Sequence, residues 1–491
     1  MIRSIGLLTL VLLVSCHLLH AQGLPELKKA VEILDKDLDM RSASWGISVI
    51  DLSNGHTVLM HQGDKSLITA STMKAVTTAT ALAVLGPDFR FRTYLEYDGS
   101  LENGVLRGNL YIRGEGDPSL GSHRFDEQHK LAQLMIAWAE VIQKAGIKQI
   151  QGRVVADASF LGSQLTPGNW NWEDMGNYYG AGASGLNIHE NFYRLDFRSP
   201  ATTGSQTEIL RTVPSINGIE FVNEVRSGPK GSGDNAYIFG SPYTWLRYVR
   251  GTIPPGRSAF SIKGSIPDPP LYCARRFEEE LIKCGITLSQ PASSIRLENL
   301  QGRPHTAKRT LLHTHRSPSL ADLVKETNME SLNLYAEALA LRTAVARKQK
   351  GTTAEAAETM TDYWKAQGVA TKGMRLRDGS GLSANNVVST HQMAKILYLT
   401  SQTPHYSAFR SSLPLAGRSG SLRSMLRGTT AEGRLRAKSG YISGVRAYAG
   451  YVEAVNGKKY AFAMISNHYS CSAGQMRRKF EKLMVKLAEG K

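Results

Sequence analysis

Cysteine is scarce in this chain: four in 491 residues, at positions 16, 273, 284 and 471. That density excludes a small scaffold stapled by disulfides. Cys273 and Cys284 flank a run that reads as helix, Ala274 to Lys283, which would hold them about 16 Å apart, too far for a disulfide. Histidines are no better placed. His313 and His315 stand two apart and His189 lies alone beside Glu190, so no zinc spacing exists and no metal or cofactor is expected. Low-complexity runs and periodic repeats are absent, which excludes solenoids and disordered linkers. Long apolar runs are also absent. The longest, Ile5 to Val14, is about ten residues, half of what a bilayer requires.

Acidic residues are the minority. Asp and Glu number 42 against 59 Lys and Arg, a formal charge of +17. From Ser401 to Lys491 there are 16 basic and 4 acidic residues. Such a surface favours polyanions without naming one. The N-terminus narrows the choice. Met1–Arg3 is basic, the apolar run follows, and Leu19-His20-Ala21 offers a small residue before Gln22, so residues 1–21 read as a cleaved export signal. Leu13-Val14-Ser15-Cys16 allows a lipoprotein signal instead, opposed by the apolar Leu18 and Leu19. An exported protein in the periplasm meets cell wall rather than nucleic acid.

What is present organises the rest. The length suggests roughly three domains. Gly23 to Met40 has helical apolar spacing. Residues 45–50 and 56–60 flank Ser53-Asn54-Gly55, a hairpin. A helix begins near Ser71 and runs through Ala83. At the far end, residues 434–439, 445–455 and 459–466 read as strands, and Gln475 to Ala488 as a closing helix. Two N-terminal and three C-terminal strands make one antiparallel sheet with helices on both faces, an α+β domain. Between them the texture changes to short strands rich in Gly and Pro, with one clear helix, Gln128 to Ala145. The expected division is therefore a discontinuous domain of residues 24–90 and 307–491, carrying a mainly β insertion, 91–306, as two small subdomains.

Three motifs carry chemistry. Ser71-Thr72-Met73-Lys74 puts a hydroxyl and an amine on one helical face, and a serine needs such a base beside it to become a nucleophile. A second copy, Ser227 to Lys230, contains Gly228-Pro229 and reads as a turn. Ser-x-Asn occurs three times, at Ser215/Asn217, Ser331/Asn333 and Ser383/Asn385, each of which also suits a cap or a turn. The second precedes a strong helix former. Lys438-Ser439-Gly440 occurs once, on a strand. Its lysine and hydroxyl suit a carboxylate, and its glycine lets a substrate backbone lie close.

In this order and these contexts, the motifs resemble those of the type-4, class C penicillin-binding proteins, the periplasmic D-alanyl-D-alanine carboxypeptidase/endopeptidases. The resemblance extends to residues 111–118, 180–184, 378–383 and 413–417, and to the 256 residues between Lys74 and Ser331. It implies a serine β-lactamase/transpeptidase-like domain in which Ser71 is acylated by a peptidoglycan stem peptide and Lys74 takes its proton. Ser331 relays the proton to the leaving amine and Asn333 holds the substrate amide. Lys438 and Ser439 bind the terminal carboxylate beside Gly440. The N–H groups of Ser71 and Tyr441 form the oxyanion hole. It further implies β-lactams as covalent inhibitors, no cofactor, and a homodimer as one available assembly. Trp172, Asp174 and Tyr179 resemble the family's subsite for the free end of diaminopimelate. Two departures stand out: Ser439 replaces the usual Thr, and Ala384 stands where relatives often carry an Arg. Another serine acyl-transfer enzyme of this fold, or a wall-binding protein without activity, are the competing readings.

Overall fold

The computed structural model describes residues 24–303, 305 and 307–491. The export signal expected over residues 1–21, and Cys16 with it, lie outside the described residues. Among those described, no helix is long and apolar enough to cross a membrane. Nor does any cluster of His, Cys, Asp or Glu stand where it could hold a metal ion.

The expected five-stranded sheet is present and wholly antiparallel. Its order is Thr57–His61, Ser44–Asp51, Lys459–Asn467, Val445–Glu453, Leu435–Ile442. Ser44 pairs with Asn467 and Asp51 with Tyr460, so strands from opposite ends of the chain lie side by side. Both faces are covered, which is why seven of the eight residues in Ser44–Asp51 are buried rather than every second one.

One face packs on the terminal helices, Pro25–Asp35 and Ala473–Glu489, through Leu27, Val31, Phe480, Leu483 and Leu487. The first helix is shorter than its apolar spacing suggests. It stops at Asp35, and Leu38–Met40 forms a separate 3₁₀ turn capped by Asp37. The closing helix starts with a capping box, Ser472 Oγ accepting from the Gln475 N–H and Gln475 Oε1 accepting from the Ser472 N–H.

The other face packs on Met73–Leu85 and Thr390–Ser401, and Asn333–Lys348 lies against Met73–Leu85. Every residue from Met73 to Leu82 is buried. Small side chains allow that close approach. Thr78 and Thr80 return their hydroxyls to the carbonyls of Lys74 and Val76 at 2.7 Å, so burial leaves neither unpaired.

Residues between Arg92 and Arg316 build four further sheets. Two features differ from expectation. Thr310–Arg316 pairs with Arg92–Tyr97, so this strand joins the inserted sheet although it follows residue 307. Most buried apolar residues of the region, from Leu95 through Leu195, Ile238 and Phe277, also form one contiguous cluster, while Leu161 and Ala183 join the core around Met73–Leu85. The expected helix at 128–145 is present as Leu131–Lys144. Cys273 lies within the helix Pro269–Lys283, and Cys273, Cys284 and Cys471 are free thiols.

Candidate active site

The helix Met73–Leu85 is preceded by a single 3₁₀ turn, Ala70–Thr72, which carries Ser71. Ala70 adopts a left-handed φ of 43° to make the corner. Ser71 is half-buried, while Lys74, one turn on, is fully buried. Lys74 Nζ donates to Ser71 Oγ at 3.0 Å, to Asn333 Oδ1 at 2.5 Å and to the Ser380 carbonyl at 2.7 Å. Those three acceptors use all three donors of an ammonium. Burial drives the Lys74 pKa down to about 7, against the opposing pull of Asp378 and Glu337. A lysine that titrates there can take up a proton near neutral pH.

Ser331 sits just ahead of Asn333–Lys348, in a left-handed conformation with φ 58°. Its Oγ accepts from Lys438 Nζ at 2.9 Å. Lys438 also donates to the Ser439 carbonyl at 2.8 Å and is fully buried. Burial, followed by repulsion from Lys74, holds its pKa well below the ordinary lysine value. Ser439 Oγ faces Ser421 Oγ at 2.7 Å. Gly440 is needed for a reason other than substrate access. A Cβ there would lie 2.8 Å from the Thr69 carbonyl oxygen and 3.1 Å from Thr72 N, inside the turn that carries Ser71. The next residue, Tyr441, is exposed and lies under the Arg446 guanidinium.

Of the other Ser-x-Asn copies, one lies away from this cleft and one in a turn just beyond Ser380. Asn217 is exposed and donates to Glu279, and Ser383 accepts from the Asn385 N–H within a turn. Ser227 is likewise distant, with its hydroxyl on the Pro200 carbonyl. The insertion does reach the cleft: Asn333 Nδ2 donates to the Tyr179 carbonyl at 2.7 Å. The Asp174 carboxyl and the Tyr179 hydroxyl lie close enough to alter each other's proton affinity. Burial, then Glu173, raises the Asp174 pKa, and burial and Asp174 raise that of the Tyr179 hydroxyl. Trp172, on the same helical turn as Asp174, is exposed, and so is Ala384, four residues beyond Ser380.

One functional group escaped the sequence reading. Glu337, one helical turn after Asn333, is buried and accepts from the Gly379 N–H at 3.0 Å and the Ser380 N–H at 2.8 Å. Asp378 caps the same loop, accepting from the N–H of Gly381 and Ser383 at 2.7 Å and from Trp170 Nε1 at 2.9 Å. These two carboxyl groups aim the Ser380 carbonyl at Lys74. Burial, then repulsion from Asp378, pushes Glu337 up to about 8. The available signal was the i, i+4 spacing from Asn333 within an apolar run.

The family model of the D-Ala-D-Ala carboxypeptidase 3 (S13) family matches residues 27–489. The chain belongs to this family. It is therefore a serine-type D-alanyl-D-alanine carboxypeptidase, a hydrolase. Among its relatives is the D-alanyl-D-alanine carboxypeptidase of Actinomadura sp. (strain R39), 28% identical over 99% of this chain and 89% of that enzyme. Another is the D-alanyl-D-alanine carboxypeptidase DacB of Haemophilus influenzae, 26% identical over 87% of this chain and 85% of that one. The fold matches the crystal structure of penicillin binding protein 4 (dacB) from Haemophilus influenzae. The TM-score is 0.78 at 22% identity, covering 95% of this chain and 98% of that one. The fold is thus that of the penicillin binding protein 4 structure, here an antiparallel five-stranded sheet with helices on both faces and a large, mainly β insertion.

Proposed function

We propose that this S13 carboxypeptidase works through an acyl-enzyme on Ser71. The observation that carries the reading is the 3.0 Å contact from the fully buried Lys74 to the half-buried Ser71. Neutral Lys74 takes the hydroxyl proton as Ser71 Oγ bonds to the carbonyl carbon of the penultimate D-alanine. The N–H groups of Ser71 and Tyr441 receive the developing oxyanion. The amide bond then breaks as Ser331, held by Lys438, relays to the departing amine the proton that Lys74 took from Ser71, which leaves Lys74 neutral again. Water releases the acyl group by the same route in reverse. The terminal carboxylate binds Lys438 and the Ser439 hydroxyl, and its charge restores the proton affinity that burial removes from Lys438. Asn333 orients the substrate amide.

Cross-link cleavage uses the same bond changes with a larger leaving amine, so endopeptidase activity follows from the same groups. β-Lactams acylate Ser71 and block it. Residues 24–90 and those after Arg316 act as the catalytic unit, and the insertion brings Asp174 and Tyr179 to its cleft to receive the stem peptide. Export by residues 1–21 delivers the enzyme to the periplasm, where peptidoglycan lies. The test is the intact mass after incubation with penicillin. One adduct is expected on the native chain and none on Ser71→Ala, which should also release no D-alanine. A folded Ser71→Ala variant that still releases D-alanine overturns the assignment.

A further inference from the structure

The insertion carries an outward face that the chemistry above does not use. Glu220–Ser227, Leu246–Ile253 and Asn235–Phe239 form a three-stranded sheet with Leu246–Ile253 in the middle. Alternate residues Val225, Ile238, Val249 and Ile253 point into the core. The intervening ones point out. In register, Val222, Tyr248 and Phe239 make one row across the strands, and Glu224, Arg250 and Tyr237 make the next. Trp172, 52% exposed, lies 4.8 Å from the Phe239 ring and extends the first row. Arg250 spans Phe239 and Tyr248 at 5.9 and 5.6 Å and is paired with Glu224 at 2.6 Å. The result is four exposed or half-exposed rings around one neutralised ion pair, on a chain whose overall charge is +17. Contiguous exposed aromatic surface of this kind marks a binding face.

The face is rigidly continuous with the cleft. Trp172 and Asp174 share one helical turn, Trp172–Met175. That turn is pressed against the sheet: a Cβ on Gly176 would meet the Ile238 carbonyl oxygen at 2.0 Å, and Asn177 Oδ1 accepts from the Ile238 N–H at 3.1 Å. Three residues past Gly176, Tyr179 touches Asn333.

We propose that this aromatic face binds the amino-sugar strand of peptidoglycan, alongside the stem peptide held in the cleft; the proposal rests on the function read above. A stem peptide is attached to a glycan strand, so an enzyme holding the peptide has sugars close at hand. Flat, rigid rings offer apolar faces to the C–H face of a pyranose at little entropic cost. The paired Arg250 and Glu224 supply donors and acceptors for hydroxyl and N-acetyl groups. Strands about 4.8 Å apart set neighbouring rings at roughly the width of a sugar. Because charge on the face cancels, this binding is insensitive to salt, unlike adsorption to the basic C-terminal surface.

The test uses glycan strands stripped of their peptides by an amidase, with co-sedimentation of the full chain at low and high salt. Penicillin labelling is run on the same samples. The native chain should bind at both salt levels, and Tyr237→Ser/Tyr248→Ser should bind roughly tenfold more weakly. Tyr248→Phe, which keeps the ring, should bind as the native chain does. Equal binding by the double variant overturns the proposal. So does binding that vanishes at high salt, or a double variant altered only in self-association, which would make the face a contact between copies. Failure of penicillin labelling in the native chain would count against the Ser71 reading instead and leave the glycan result legible.

Discussion

Gly440→Ala offers a test of how closely the strand bearing Lys438 must approach the turn bearing Ser71. The added Cβ would stand 2.8 Å from the Thr69 carbonyl oxygen, where ordinary contact begins at 3.4 Å. The turn cannot yield cheaply, because the Thr72 N–H and hydroxyl both bond to that same carbonyl, at 3.3 and 2.6 Å. The strand Leu435–Ile442 must therefore retreat by about 0.6 Å. Lys438 moves with it, and its 2.9 Å bond to Ser331 stretches toward the limit of a hydrogen bond. Displacement on this scale costs roughly 10- to 100-fold in a reaction that depends on alignment. Overpacking costs about 1–3 kcal/mol in stability. The assay is the time course of penicillin adduct formation by intact mass, paired with a thermal melt. Acylation within a factor of two of the native rate would refute the claim that Gly440 is there for this close approach.

Three further outcomes follow from the geometry. Only neutral Lys74 can accept the Ser71 proton, so penicillin acylation should fall as pH drops through about 7, and a rate that stays flat well below that value contradicts the role. Glu337→Ala leaves the Gly379 and Ser380 N–H groups without their buried acceptor, so the loop that aims the Ser380 carbonyl at Lys74 should loosen and penicillin acylation and thermal stability should both fall; unaltered acylation counts against this positioning role. Asp174→Ala should weaken kcat/KM for diaminopimelate-bearing peptides by about 1–3 kcal/mol, with a far smaller effect on penicillin acylation; equal losses on both would make Asp174 a support of the fold alone.

Much of the catalytic framework was legible because its signals are local. Hairpin turns, alternating apolar strands and an i, i+3 Ser/Lys pair need only a few neighbouring residues to be recognised. The five-stranded sheet and its covering helices follow from those signals. The three motifs also meet in one cleft, with Lys74 touching Ser71 and Asn333 and Lys438 touching Ser331. What stayed hidden depends on partners far away in the chain. Glu337 looks like a surface charge until Gly379 and Ser380 arrive 42 and 43 residues later to accept its burial. Thr310–Arg316 looks like the start of the returning domain until Arg92–Tyr97 is seen beside it. Gly440 suggests room for a substrate, whereas its nearest neighbours are Thr69 and Thr72. The main core of the insertion arises from contacts between sheets, which no strand pattern encodes.

The pairing of Ser44–Asp51 with Lys459–Asn467 has a consequence for how the molecule comes into being. The central strand pair of the catalytic sheet joins segments about 400 residues apart, so closing it costs about 4 kcal/mol more in chain entropy than closing a short hairpin. The insertion's sheets and helices pair over shorter spans and can form while the rest of the chain is still emerging. The nucleophile's helix therefore waits for a partner made hundreds of residues later. Ser71 and Lys74 are synthesised early, yet the low-dielectric pocket that brings Lys74 to neutrality forms only with the final strands. A nascent chain thus lacks the buried Lys74, and the arrangement around Ser71 is complete only when the last strands have paired.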